Sequence, residues 1–263
     1  MAILSIRKLT KSFGGLTAVA NLNMELKKGE LVGLIGPNGA GKTTVFNLLT
    51  GIYQPSSGSI ILEANGEKKE LQGQKPYNIC KAGIARTFQN IRLFDDLTVL
   101  DNVRIAMHQN INYGLISGLF HLPSYKREEK RILEECMELL RITKLDSKAD
   151  ELAKNLPYGE QRHLEIARAL AAKPIILLLD EPAAGMNPAE TVQLTELIQW
   201  IRKKFDLTIL LIEHDMSLVM KICERIYVLD YGLLIAEGTP EEIKSNERVI
   251  KAYLGEDVSN AGD

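Results

Sequence analysis

Gly36-Pro37-Asn38-Gly39-Ala40-Gly41-Lys42-Thr43-Thr44 reads G-x-x-x-x-G-K-T, and the two segments flanking it decide the fold. Residues 30–35 form a short apolar run of strand length, and residues 45–50 show helical spacing and stop at Gly51. The stretch therefore lies between a strand and a helix. Its glycines open backbone angles closed to other residues and let main-chain N–H groups approach oxygen atoms with no Cβ in the way. At a helix N-terminus those donors and the positive dipole end favour an anion. Lys42 is placed to reach outer phosphates and Thr43 to offer a hydroxyl to Mg²⁺, so the ligand expected here is a nucleoside triphosphate.

Further along, residues 175–179 are an apolar strand that ends in two carboxylates, Asp180 and Glu181. Ligand sites in α/β sheets lie at the carboxyl ends of strands, which places both acids near the glycine loop. Asp180 is expected to hold Mg²⁺ opposite Thr43, and Glu181 to orient and deprotonate the water that attacks the γ-phosphate. His214 follows the next apolar run, residues 208–212, and emerges at the same edge, where it can bond phosphate or water; a plain surface or packing histidine is the alternative. Gln89 ends a short strand and enters a helical stretch, where its amide can touch metal-bound water.

The rest of the pattern organises around this edge. Residues 3–26 alternate like strands, with Gly14-Gly15 as a turn, and residues 59–63 and 68–71 flank an Asn65-Gly66 hairpin signal. From 97 to 172 the periodicity is helical, opened by a capping-box pattern at Thr98 to Asp101. Strand and helix then alternate: helix over 188–205, strand over 208–212, helix over 216–223, strand over 225–230. Thr239-Pro240-Glu241-Glu242 starts a last helical region, and residues 259–263 are expected to fray. Alternation of this kind implies a parallel sheet with helices packed on it. The expected fold is α/β, with a mostly parallel sheet, an antiparallel β subdomain before it and an inserted helical subdomain.

Composition excludes several classes. The 263 residues are 45% hydrophobic and 25% charged, with a formal net charge of −2, which gives no reason to expect nucleic acid as a partner. No apolar run approaches the ~18 residues of a membrane span, and the N-terminal residues lack the order of a signal peptide, so a cytosolic chain is expected. Cys80, Cys136 and Cys223 are odd in number and scattered, which suits packing thiols better than disulfides or a metal cluster.

Taken in order, these motifs resemble those of the ATP-binding-cassette ATPases, and the resemblance covers essentially the whole chain. In that family's terms Gly36 to Thr44 matches Walker A, Gln89 the Q-loop, Asp180 the end of Walker B, Glu181 the catalytic glutamate and His214 the switch histidine. The resemblance implies ATP and Mg²⁺ as ligands, with Thr43, Gln89 and Asp180 around the metal. Phe13 falls where the family stacks an aromatic on adenine; packing beside the Gly14 turn is the alternative. The implied division is a nucleotide-binding core with β subdomain over 1–88 and 167–263, and a helical signature subdomain over 89–166.

One motif departs from the family pattern. The signature, usually L-S-G-G-Q, here reads Leu156-Pro157-Tyr158-Gly159-Glu160. A serine hydroxyl and a glycine are replaced, and Pro157 lacks an N–H. The Gly159 N–H and the helix dipole behind it remain to face a γ-phosphate. This segment, with residues 184–188, 113–126 and 213–220, looks like the ATPase subunits of branched-chain amino-acid importers. That resemblance implies a second cassette subunit, identical or not, and integral membrane permease subunits. It also implies an extracytoplasmic binding protein acting indirectly and a peripheral place on the inner face of the membrane. A groove near Ile91, Leu93 and Phe94 is expected to take a permease helix, or else to be core. An export ATPase for lipid or polysaccharide, a soluble non-transport cassette and a small-molecule kinase are the competing readings.

Overall fold

The computed structural model describes residues 2–64, 66–107 and 123–259. Asn65 of the expected hairpin turn, residues 113–122 of the importer-like insert and residues 260–263 of the expected frayed end lie outside the described residues.

The strands are β1 (Ala2–Phe13), β2 (Leu16–Lys27), β3 (Leu31–Ile35), β4 (Ser57–Ala64), β5 (Glu67–Glu70), β6 (Ile84–Arg86), β7 (Ile176–Asp180), β8 (Thr208–Ile212), β9 (Arg225–Asp230) and β10 (Leu233–Gly238). They form two sheets, β2-β1-β4-β5 and β10-β9-β3-β8-β7-β6. The first is antiparallel throughout. In the second every pairing is parallel except β9 with β10. Every residue of β3, β7 and β8 is buried, which is why they read as unbroken apolar runs: central strands of a parallel sheet are covered on both faces.

The two faces separate cleanly by the two-residue period of a strand. Leu177, Leu179, Ile209 and Leu211 join a core shared with helices, whereas Ile176, Leu178, Leu210 and Ile212 join one shared with the antiparallel sheet. The helices are α1 (Lys42–Leu49), α2 (Pro76–Lys81), α3 (Val99–Met107), α4 (Pro123–Ile142), α5 (Tyr158–Ala171), α6 (Pro188–Lys204), α7 (Met216–Ile222), α8 (Pro240–Lys244) and α9 (Glu247–Ser259). Helix α1 packs with the antiparallel sheet, while α3 to α7 cover the opposite face. Cys136 and Cys223 are buried, and burial pushes their thiols up to about 11 and about 12. Among the described residues no helix is long and apolar enough to cross a membrane.

Three local features differ from expectation. Strand β10 and helix α2 form where no periodic signal was read: β10 is a partly buried edge strand without alternation, and α2 buries only Ile79. At α3 the cap is one-sided. The Thr98 hydroxyl accepts the Asp101 N–H at 3.0 Å, but the Asp101 carboxylate turns to that same hydroxyl at 2.9 Å. Thr239 and Glu242, by contrast, form both halves of a capping box.

Strand order sets the site. Because β3, β8 and β7 lie side by side and parallel, the segments leaving Ile35, Ile212 and Asp180 emerge together, with that leaving Arg86 of β6 beyond β7.

Candidate active site

The glycine stretch leaves β3 and closes into α1 through backbone angles that side chains resist, with Gly36, Gly39 and Gly41 at φ +151°, +75° and +103°. Gly41 caps α1 without any side-chain acceptor, so no capping side chain occupies the end of the helix that favours an anion. Lys42 bends back over the loop, its Nζ donating to the carbonyls of Gly36 and Pro37 at 2.6 and 2.8 Å. The result is a cavity of about 270 Å³ lined by Asn38, Gly39, Ala40, Gly41, Lys42, Thr43 and Thr44 on one side and Gln89, Glu181 and His214 on the other.

Residues from three separate strand ends meet on Glu181. Its carboxylate accepts from Gln89 Nε2 at 2.8 Å through one oxygen and lies 2.8 Å from His214 Nε2 through the other. The Glu181 backbone is held in the left-handed region, φ +47°, by an N–H donated to Ile212 O at 2.9 Å. Glu213 reinforces this edge from beneath: it accepts the N–H groups of Ala183 and His214, and its burial pushes its own carboxyl above the ordinary carboxylate value. A carboxylate held at both oxygens beside the glycine loop can take a proton from a water attacking there.

Asp180 sits behind the cavity, not in its wall. Its Oδ2 accepts from Arg86 at 2.6 Å, while Oδ1 is buried with no hydrogen-bond partner. Burial pushes this carboxyl up, against the pull of Arg86. An orphaned buried oxygen is costly unless a donor arrives, and a hydrated cation near Thr43 would supply one, so these residues fit Mg²⁺. Among the described residues no cluster of three or more His, Cys, Asp or Glu could hold a metal by itself. Any ion here would depend on phosphate oxygens as well.

The remaining candidates lie outside the cavity. Phe13 ends β1, 42% exposed, and meets Tyr53 edge-on at 5.1 Å between ring centroids. Gly159 lies in the first turn of α5, against the Glu190 side chain that caps α6. Leu93 packs against the helical core, whereas Phe94, 48% exposed, lines a groove of about 490 Å³ with Ile52, Ile79, Phe88 and Ile105.

Sequence reading passed over three charged residues that build the site. Arg86 bonds Asn47 of α1 as well as Asp180, and its guanidinium lies over the rings of Phe46 and Phe88. Arg162 and Glu165 of α5 are both 2% exposed. Arg162 donates to the carbonyls of Phe88 and Gln89, and Glu165 accepts the Phe88 N–H at 3.1 Å. The available signal was charge on the buried face of a helix, which is rare unless it is paired.

Comparison with known proteins shows the family. The family model described as ABC transporter matches residues 19–184, and one described as branched-chain amino acid ATP-binding cassette transporter matches residues 234–259. The chain is 51% identical over 254 residues to the high-affinity branched-chain amino acid transport ATP-binding protein LivG of Escherichia coli, covering 97% of this chain and 98% of that protein. It is 48% identical, at the same coverage, to BraF of Pseudomonas aeruginosa, which carries the same description. Among solved structures, an ATP-binding cassette of an ABC transporter in its ADP conformation superposes with a TM-score of 0.82 at 29% identity, covering 97% of this chain and 99% of that one.

Proposed function

This chain is an ATPase of the ABC transporter family, and we propose that within it the chain drives import of branched-chain, hydrophobic amino acids. The observation that carries the hydrolytic part is Glu181 held between Gln89 and His214 at the mouth of the glycine cradle. In this reading residues 36–44 bind the phosphates of ATP and Glu181 accepts the proton of the attacking water. His214 and Gln89 hold Glu181 and sense the γ-phosphate. Mg²⁺ would be held by Thr43, Gln89 and Asp180 and would neutralise charge on the phosphates. Phe13, beside Tyr53, would offer its exposed face to adenine.

The cargo assignment rests on likeness to LivG and BraF and on the match over residues 234–259, which favours import over an export cassette. Residues that would read an amino acid belong to other subunits. We read 1–88 and 167–263 as the nucleotide-binding core and 89–166 as the helical part, with α5 running unbroken from one into the other. Gly159 and the N-terminus of α5 would face the cradle of a second cassette, identical or not. In the same reading the groove beside Phe94 would take a cytoplasmic helix of a permease and the chain would sit on the inner face of the membrane, with an extracytoplasmic binding protein acting at a distance.

The test is uptake of labelled leucine, isoleucine and valine in cells from which this chain has been removed. Uptake is expected to fall and to return with the parent chain but not with Glu181→Gln. Unchanged uptake alongside normal ATPase activity of the purified chain would retire the cargo assignment and leave the hydrolytic one standing.

A further inference from the structure

We propose that Tyr158 and Arg162 form a positioning relay, through which the start of helix α5 sets the placement of Gln89 and so of its bond to Glu181. The proposal rests on the reading of Gln89 and Glu181 as parts of the hydrolytic site.

A guanidinium that is 2% exposed carries a desolvation cost that its hydrogen bonds must offset, which makes those bonds hard to give up. At Arg162 both terminal nitrogens are engaged, while Nε is buried with no hydrogen-bond partner. Nη1 donates to Phe88 O at 2.6 Å and approaches Glu165 Oε2 at 3.3 Å, while Nη2 donates to Gln89 O and to the Tyr158 hydroxyl at 2.9 Å. With Glu165 taking the Phe88 N–H, a single turn of α5 fixes three backbone polar groups of Phe88 and Gln89. The Gln89 side chain then reaches Glu181 Oε2 at 2.8 Å. From the Tyr158 hydroxyl to the Glu181 carboxylate every link is a direct hydrogen bond or a covalent bond.

Tyr158 also touches the segment that follows Glu181. A Cβ added at Gly185 would come within 3.2 Å of its Cε1, so the ring rests on a backbone only four residues from Glu181. The ring is nevertheless 45% exposed, at the end of α5 that would meet a second cassette. Pressure on that exposed face is passed to Arg162 and onward. A glycine at 158, the residue the family pattern expects, has no atom that could reach Arg162. The departure at Tyr158 is therefore a gained contact between this segment and Gln89.

Tyr158→Phe isolates the claim, because it keeps the ring on Gly185 and under the Arg162 guanidinium, 5.4 Å from its centroid, and removes only the hydroxyl. The experiment compares the parent, Tyr158→Phe, Gln89→Ala and the double variant. Steady-state ATPase kinetics and amide hydrogen exchange over residues 86–92 without nucleotide are read for each. Tyr158→Phe is expected to lower kcat about tenfold with KM for ATP within about twofold of the parent, and to speed exchange over 86–92. In the Gln89→Ala background it should lower kcat no further. Multiplying effects, or exchange over 86–92 unchanged by Tyr158→Phe, would overturn the relay while leaving Gln89 in the site. A Gln89→Ala variant with parental kcat would overturn the site reading itself, and the relay with it.

Discussion

Glu181→Gln separates the chemistry of the site from its architecture. The carboxylate now accepts at both oxygens, from Gln89 at 2.8 Å and from His214 at 2.8 Å, and its side chain is 12% exposed. A glutamine has the same shape and can keep both contacts. Its carbonyl oxygen still accepts from Gln89, and its amide donates to His214 Nε2 once the imidazole carries its proton on Nδ1. Glu181 also lies at φ +47°, but the replacement does not alter backbone freedom and adds no strain there. The expected cost in folding stability is below about 1 kcal/mol, the size of one exchanged neutral hydrogen bond.

The reaction should lose far more. An amide cannot accept the proton of the attacking water, and general-base catalysis contributes about 10²- to 10⁴-fold, equal to about 2.7–5.5 kcal/mol of activation free energy. Phosphate release should therefore fall by that factor, with nucleotide affinity measured by calorimetry and the thermal midpoint both close to the parent. Turnover within about threefold of the parent, with binding intact, would refute the assignment of Glu181 as the base. A large drop in thermal midpoint would refute the claim that glutamine preserves the contacts.

Two further substitutions probe the frame around the site. Gly36→Ala would set a Cβ 2.1 Å from the Leu229 carbonyl oxygen of β9, a backbone atom that cannot swing aside, at a φ of +151°; overpacking and strain together predict a loss of about 2–5 kcal/mol in urea unfolding. Gly39→Ala meets no atom within 4 Å and should cost only about 1 kcal/mol for its positive φ, so equal losses would contradict the packing argument. Asp215→Ala removes the cap of α7, whose carboxylate accepts from Ser217 N and Leu218 N, and should cost about 1 kcal/mol near neutral pH. The Ser217 hydroxyl, with those N–H groups, holds the Asp215 carboxyl below its ordinary 3.8, so its contribution is present above that pH and lost as pH falls through the lowered value. Parent and variant should draw together in denaturant midpoint as pH falls from 3.8 toward the lowered value, and a difference unchanged throughout that fall would sink the assignment.

Much of the fold was legible because its signals are local. Unbroken apolar runs at β3, β7 and β8, a glycine loop between strand and helix, and capping residues at Thr239 and Glu242 each act within a few positions. Strand β10 and helix α2 escaped because an edge strand and a six-residue surface helix need no periodic apolar face. The site was legible as a set of strand ends: Gly36 to Thr44, Gln89, Glu181 and His214 converge because parallel strands deliver their carboxyl ends to one edge.

The sequence by itself determined that this chain carries a glycine loop of phosphate-binding pattern between a strand and a helix, with two carboxylates at the end of another strand, since spacing and residue type suffice for that. Only the tertiary structure decided what holds those groups in place. Arg86 meets Asp180 across 94 residues, and Arg162 meets Gln89 across 73. Such pairs depend on which strand lies beside which and on how α5 is laid against the Gln89 segment, and no local pattern carries that information. The same holds for Tyr158. In the sequence it is a missing glycine, and in the folded chain it is a hydroxyl on a buried arginine, because burial turns a polar side chain without a partner into a cost and with one into a constraint.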